Sequence, residues 1–410
     1  MTRAIVFLLL GAMLVLVSGG ARALPDEPPV AKKVEPKDDK GGFAGRTKEG
    51  KARLLKEFGG SEASEEAVML GLAWLTQMQN KDGGWVYDAG RVQDTAPATG
   101  MAVLAFLGAG QSHKDGRYKQ TMQAGIDWLV ANLESDQGAS AGKFKGAGDM
   151  YGQGIATLAL VEAYGMTQDP SLKKPAQSAI DYIQRAQAQN GSWGYRSGTP
   201  GDTSIVGWQV QALHAAKLTQ GLVVDDKVIQ KAIGFLNFAG TGRGKGQGQI
   251  KSMYGYGDSN GAQPATSLTA IGLLCRYYID GWREENAGFA EGAKGLMVGK
   301  APGVAGPRKA ARFDLYYYYY STQVIRYHGG EDWKDWNEGP VGADGVRKGG
   351  IPDWLIGLQD RKPAQRGSWN PEPGWFGQQC GRLGTTCMSL LTLEVYYRYS
   401  PGSNENEPKK

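Results

Sequence analysis

The sequence predicts an all-α fold: an (α/α)6 toroid, a double ring of inner and outer helices built from six two-helix repeats. Three observations lead there. An aromatic–aliphatic pair recurs as Trp74-Leu75, Trp128-Leu129, Tyr182-Ile183 and Phe235-Leu236, at steps of 54, 54 and 53 residues, with a degraded copy at Gly295-Leu296 and a clear one at Trp354-Leu355. A fixed period of this length marks a repeat architecture. Each unit also couples an amphipathic helical pattern to one that is apolar or small nearly all round, and a helix apolar on every side has to be buried. Finally, Trp74, Tyr182 and Trp354 are each followed five residues on by Gln79, Gln187 and Gln359, and then by a Gly-x-Trp turn at Trp85, Trp193 and Trp369. Six units with one wet and one buried helix apiece favour closure into a ring. A single toroid also accommodates a chain longer than an ordinary one-core domain.

Taken in order, residues 1–23 read as a signal peptide. Arg3 supplies a positive start, Ile5 to Val17 an apolar run too short to span a bilayer comfortably, and Ala21-Arg22-Ala23 a small-x-small cleavage site. Export to the periplasm or the outside is therefore expected, with an uncleaved N-terminal anchor as the alternative and no later integral span. Residues 24–60, rich in Pro, Lys, Asp and Gly, read as a flexible charged linker. The toroid is expected over residues 61–400 and a disordered tail over 401–410. Its first outer helix places Ala67, Leu70, Trp74, Leu75 and Met78 on one face and Glu62, Glu65 and Glu66 in the first turn, where the macrodipole favours carboxylates. The inner helices follow Gly-rich turns, as in "DTAPATGMAVLAFLGAG" and "DTSIVGWQVQALHAAK", with Asp94, Asp149 and Asp202 where N-caps belong. Gln79 and Trp85 are expected to act as a joint: the amide bonds loose backbone groups at a helix end and the indole covers them.

The formal charge of +5 over 410 residues leaves no basic stripe, which argues against a nucleic-acid partner. Three cysteines, Cys275, Cys380 and Cys387, allow one disulfide, expected between Cys380 and Cys387. No C-x-x-C is present, and His113, His214 and His328 lie far apart, so no metal and no cofactor is expected.

The aromatic-Leu-x-x-x-Gln…Gly-x-Trp pattern resembles the QW repeat of squalene and hopene cyclases. Residues 61–400 look like the α/α toroid of the terpenoid cyclases and protein prenyltransferases. In the cyclases, the resemblance implies a D-x-D-D-T motif whose central Asp protonates a polyene. Here "RVQDTA" aligns Asp94-Thr95-Ala96 with the end of that motif but carries Gln93 at the acid's place, and "TPGDTS" aligns Asp202-Thr203-Ser204 but carries Gly201 there. Neither residue can deliver a proton, and an N-cap role accounts for both aspartates. The prenyltransferases' zinc set of Asp, Cys and His is not matched either: Thr385 and Thr386 stand near Cys387 where the histidine is expected. Cys380-Gly381-Arg382 likewise departs from the Cys-Gly-Glu-Gln run of the complement thioester toroids.

The function expected is accordingly that of a non-cyclising member of this fold, with a hydrophobic or isoprenoid-like ligand, or a protein partner, at the ring mouth. The candidate binding residues are Tyr316, Tyr317 and Tyr320 of the five-tyrosine run, Trp208, and Trp375 and Arg382 of "RGSWNPEPGWFGQQCGR". Aromatic packing and rim closure compete with binding for those same residues. The rivals are a terpenoid-type enzyme with Asp94 or Asp202 as an atypical proton donor, and a carbohydrate-active enzyme using two of Asp94, Asp149, Asp202 and Asp314, set roughly 5–10 Å apart. The Gly-rich "AGTGRGKGQGQ" lacks phosphate-loop spacing and reads as a mobile insertion.

Overall fold

A computed structural model describes residues 41–89, 94–134, 138–244, 248–298 and 314–399. The signal-peptide and cleavage expectations, residues 24–40 of the linker, Gln93 and the tail fall outside them. Among the described residues no helix is long and apolar enough to cross a membrane.

After α1 (Lys48–Phe58), the outer helices are α2 (Glu62–Gln77), α4 (Lys119–Ala131), α6 (Pro170–Arg185), α8 (Asp226–Ala239), α10 (Ala287–Met297) and α13 (Ile351–Leu358). The inner helices are α3 (Thr95–Gly108), α5 (Met150–Thr167), α7 (Thr203–Leu218), α9 (Ser267–Ile279), α11 (Leu315–His328) and α14 (Trp375–Leu393), with the short α12 (Gly330–Asn337) between α11 and α13. The inner helices pack in a closed circle, α3 on α5, α5 on α7, α7 on α9, α9 on α11, α11 on α14 and α14 back on α3. Five of the outer helices lie against two of them, as α4 sits over α3 and α5, while α13 lies against α14 and the outer α2. This is the double ring that the repeats predict.

The inner ring is dry because its sequence is. Every residue of α3 from Ala96 to Gly108 is buried. Small residues set the spacing: a Cβ on Gly100 would fall 3.0 Å from Ala156 Cα on the neighbouring helix. The outer helices keep one wet face; the buried set of α2 is Ser64, Ala67, Val68, Gly71, Leu72, Trp74 and Leu75. Leu70 is only part-buried and Met78 is exposed, because the helix ends at Gln77 and Met78 caps it.

The Gln–Trp motif is a joint with one geometry used three times. Gln79 Nε2 donates to the carbonyls of Gly83 and Thr121, Gln187 Nε2 to Gly191 and Val228, and Gln359 Nε2 to Gly367 and Ala67. In each case one bond ties the motif's own turn and the other reaches the next outer helix. The indoles of Trp85, Trp193 and Trp369 donate to Leu75, Ile183 and Leu355 at 2.7–2.8 Å, in the last turns of their own outer helices. The Gln359 bond to Ala67 carries repeat six onto repeat one, across 292 positions.

Three expectations are corrected. The linker gives way to structure at Gly41: a 3-10 turn (Gly41–Arg46) and α1 pack on the ring because one aromatic and one guanidinium of this polar segment are buried, Phe43 against Tyr399 and Arg46 on Glu162. The Gly-rich insertion carries strand β1 (Gly240–Arg243), paired antiparallel with β2 (Gln249–Tyr254). All three cysteines are free. Cys387 is fully buried, whereas Cys380 packs against Gly384, about one helical turn short of it, across a break in α14 at Gly381.

Candidate functional site

The inner helices all start at one end of the ring, and their caps gather there. Asp149 accepts the backbone N–H groups of Tyr151 and Gly152, Asp202 those of Ser204 and Ile205, Thr266 that of Thr269, and Asp314 that of Tyr317. The sixth cap comes from the first repeat: Asp88 Oδ1 accepts the Leu383 N–H at 2.9 Å. That arrangement requires Gly381, whose φ of 63° lies in the left-handed region and whose missing side chain leaves room for Asp88. Asp94 differs from these. It occupies the cap position of α3 but its side chain makes no cap bond and lies against Gly148.

The carboxylates at this end are electrostatically unsettled. Burial, and then the charge of Asp149, hold the Asp94 carboxyl above its ordinary range. Burial raises Asp149 as well, opposed by its two cap bonds and reinforced by Asp202. Glu372, buried in the rim loop, accepts the N–H groups of Leu315 at 2.8 Å and Gly377 at 3.1 Å, yet burial still keeps its carboxyl raised. Water excluded from a carboxylate disfavours its charged form.

Two adjoining cavities open here. The larger, about 420 Å³, lies between Ser267, Asp314, Tyr316, Glu372 and Trp375. The smaller, about 120 Å³, is lined by Asp94, Asp149, Tyr87, Tyr151, Tyr195, Trp208, Tyr316 and Phe376. Trp375 borders both and is 62% exposed. It is carried on the turn of α14 that precedes the Gly381 break, folded over the ring end.

Beneath Tyr316 the ring is filled. Helices α7 and α11 are not neighbours in the circle, so their contacts cross its centre. Trp208 Nε1 donates to Tyr316 Oη at 2.8 Å, Tyr319 Oη donates to Gln211 at 2.9 Å, and Gln211 Nε2 donates to Tyr320 Oη at 3.1 Å. Trp208 also stacks on Tyr319 with ring centroids 5.8 Å apart. Deeper still, His214 stacks on Tyr278 at 4.2 Å, and burial pushes its imidazole down to about 3, so it sits neutral in the core. The far end is sealed by Phe43 and by Glu162, which accepts from Arg46 at 2.7 Å and from Tyr399.

No family model matches the chain. Over 200 residues it is 24% identical to enfumafungin synthase of Hormonema carpetanum, a match that spans 42% of this chain and 15% of that protein. It therefore corresponds to a small part of that relative's length. Among solved structures it is similar to the α-1,6-mannanase of Salegentibacter sp. HEL1_6, in an inactive variant in complex with α-1,6-mannotetrose, at a TM-score of 0.54 and 9% identity over 82% of this chain and 99% of that one. Cellobiose 2-epimerase from Bacillus thermoamylovorans B4167 gives 0.52 at 12% identity over 83% and 99%. The chain has an α/α toroid fold.

Within the toroid, the sequence-predicted residues divide. Asp94, Trp208, Tyr316 and Trp375 come together around the mouth. Asp202 is 2% exposed, caps α7 and is bonded to Ser204, which in turn meets Tyr151, and it also faces the rim hydroxyl of Tyr256. Tyr317 donates to the Leu296 carbonyl and Tyr320 is held by Gln211, both fully enclosed by packing. Arg382 is fixed to Ser368, Asp360 and Asn370 and stiffens the rim loop. Sequence reading passed over Tyr87, Tyr151 and Phe376 as mouth residues and Asp88 as a cap. Tyr151 had a signal, since it stands two residues after the Asp149 cap. Asp88 had none, because its partner is 295 positions away. Among the described residues no group of His, Cys, Asp and Glu is arranged to hold a metal.

Proposed function

We propose that this toroid is a non-cyclising member of its fold that binds a ligand at the ring mouth, outside the cytoplasm. The observation that carries the reading is the filled centre. A cyclase needs room for a folded polyene in the ring, and ligand cavities generally run to about 300–1,000 Å³. Here, among the described residues, the Trp208–Tyr316 contact closes the middle of the ring between α7 and α11, and the cavities of about 420 and 120 Å³ at the mouth lie on the rim side of that floor. The aspartates in register with the cyclase motif support the same reading, one being a satisfied cap and the other a rim carboxylate. Incubation with squalene followed by mass spectrometry tests it: no cyclic product is expected, and a product abolished by Asp202→Asn would overturn it. The export part rests on Arg3, Ile5 to Val17 and Ala21–Ala23. N-terminal sequencing of the mature protein should begin near Leu24, and a cytoplasmic chain with an intact N-terminus would overturn it.

A second reading has one specific observation behind it. Asp94 is free of capping and raised in pKa beside Asp149, which is the environment a glycosidase gives its general acid. The mannanase likeness in fold is compatible with this. Incubation with α-1,6-mannotetrose and chromatography of the products tests it; cleavage lost in Asp94→Asn would favour it over binding alone.

A further inference from the structure

The smaller mouth cavity has an unusual lining. Besides Pro97, Ile155 and Cys380, its walls carry π-systems in two groups. Trp208, Tyr316 and Phe376 form one, with successive ring centroids 6.4 and 6.0 Å apart, and Tyr151 with Tyr195 forms the other at 5.9 Å. Their polar ends are largely spoken for: Trp208 donates to Tyr316, Tyr151 meets Ser204, and Tyr195 shares a hydrogen with Tyr256 at 3.0 Å. The lining also carries the Gln379 amide and the Trp375 indole at its rim. The carboxylates of Asp94 and Asp149 line the same space, and among the described residues around it there is no Lys, Arg or His. The chain as a whole is not short of bases, with 46 Lys and Arg against 41 Asp and Glu. Elsewhere the guanidinium groups of Arg46 and Arg398 meet the buried Glu162, whereas the buried Glu394 has no hydrogen-bond partner on either carboxylate oxygen among the described residues.

Aromatic faces attract cations through their quadrupoles, most strongly when the cation is desolvated, and rings grouped around a small space are suited to quaternary ammonium groups. Two carboxylates at the lip add a long-range attraction and gain from it, because a bound positive charge relieves their mutual repulsion. From this geometry we infer that the cavity takes a small organic cation, of the quaternary or alkylated ammonium class, held between the two aromatic groups with its charge facing Asp94 and Asp149. At about 120 Å³ it suits a compact head group and excludes anything of drug size. A longer ligand would extend past Trp375 into the larger cavity.

This inference rests on the mouth-binding reading but fails separately from it. A cyclised product from squalene would remove that reading, whereas loss of cation binding would remove only the cation. The test is calorimetric titration of the purified chain with choline and with its uncharged isostere 3,3-dimethyl-1-butanol, alongside tryptophan fluorescence. Choline should bind at least about tenfold more tightly than the isostere, as expected when charge and not shape is recognised. Asp94→Asn should weaken choline about fivefold and leave the isostere unchanged. Since Asp94 makes no cap bond the variant should fold normally, and Asp149→Asn, which keeps a capping side chain, provides a second charge deletion. Equal affinity for the two probes, no binding of choline, or an unchanged choline affinity in both variants would each overturn the inference.

Discussion

At the end where the inner helices finish, Glu162 meets two guanidinium groups, Arg46 at 2.7 Å and Arg398 at 3.6 Å, under the ring of Phe43. At the end where they begin, Asp94 and Asp149 meet none among the described residues of the cavity they line. The sealed end also buries Glu394, whose carboxylate oxygens have no hydrogen-bond partner among the described residues and whose carboxyl is held well above the usual range by burial, so the ends differ in the guanidinium groups they supply and not in complete pairing. Burial alone would push the Glu162 carboxyl up, yet Arg46 and Arg398 hold it below its usual range. At the mouth burial prevails and the carboxyls stay raised. The difference teaches that the ring concentrates its buried guanidinium groups at one end, while the cavity at the other has none among the described residues.

Breaking the sealed end should have the largest effect. Glu162→Ala leaves two buried guanidinium groups without the carboxylate they share and should cost about 3–5 kcal/mol in chemical denaturation. A cost near zero would mean that the plug is peripheral and the contrast between the ends is superficial. The mouth's rim comes next, because it is held by the Gln–Trp joints. Gln359→Ala strands the carbonyls of Ala67 and Gly367 in a buried seam and should cost about 1–3 kcal/mol. Gln79→Ala, at a wetter joint, should cost less, and the order of the two reports how much the seam matters.

The joint was legible in the sequence because it is written three times in register, and a period of that kind survives any error over a single helix boundary. The plug was not, since one Phe and one Arg disappear into the average of a Lys- and Pro-rich segment; only the folded ring shows that they have a hole to fill. The five tyrosines illustrate a related limit. Their spacing covers every face of α11, so it could not say that Tyr316 reaches the mouth while Tyr317 and Tyr320 are consumed in packing. Likewise an Asp before a helix reads as a cap, and that held for Asp149 and Asp202 but not for Asp94, whose side chain turns away.

The smallest effect is expected at the open end. Asp94→Asn removes no cap bond, so its stability change at neutral pH should stay within about 0.5 kcal/mol. Its signature lies in pH dependence. A carboxyl raised by folding binds its proton more tightly in the folded than in the unfolded chain. It therefore favours folding below the ordinary carboxylate range, and that contribution is lost as pH climbs from there to the raised value. Thermal melts of wild type and Asp94→Asn across this window should show a shallower fall in the variant. Parallel curves would mean that Asp94 titrates normally and that the mouth is less strained than the comparison holds.

The bond from Gln359 to Ala67 also has a consequence for the chain during its synthesis. The partner that completes α2 lies 292 positions downstream, so a nascent chain of five repeats has its first outer helix made but its seam open. The Asp88 cap has to wait longer still for Leu383, 295 positions away. Loop closure over such distances is slow, and apolar edges left open meanwhile invite aggregation. The last repeat is thus the latch of the ring, and truncations that end before it should yield chains that depend on chaperones to stay in solution, however well their individual helices form.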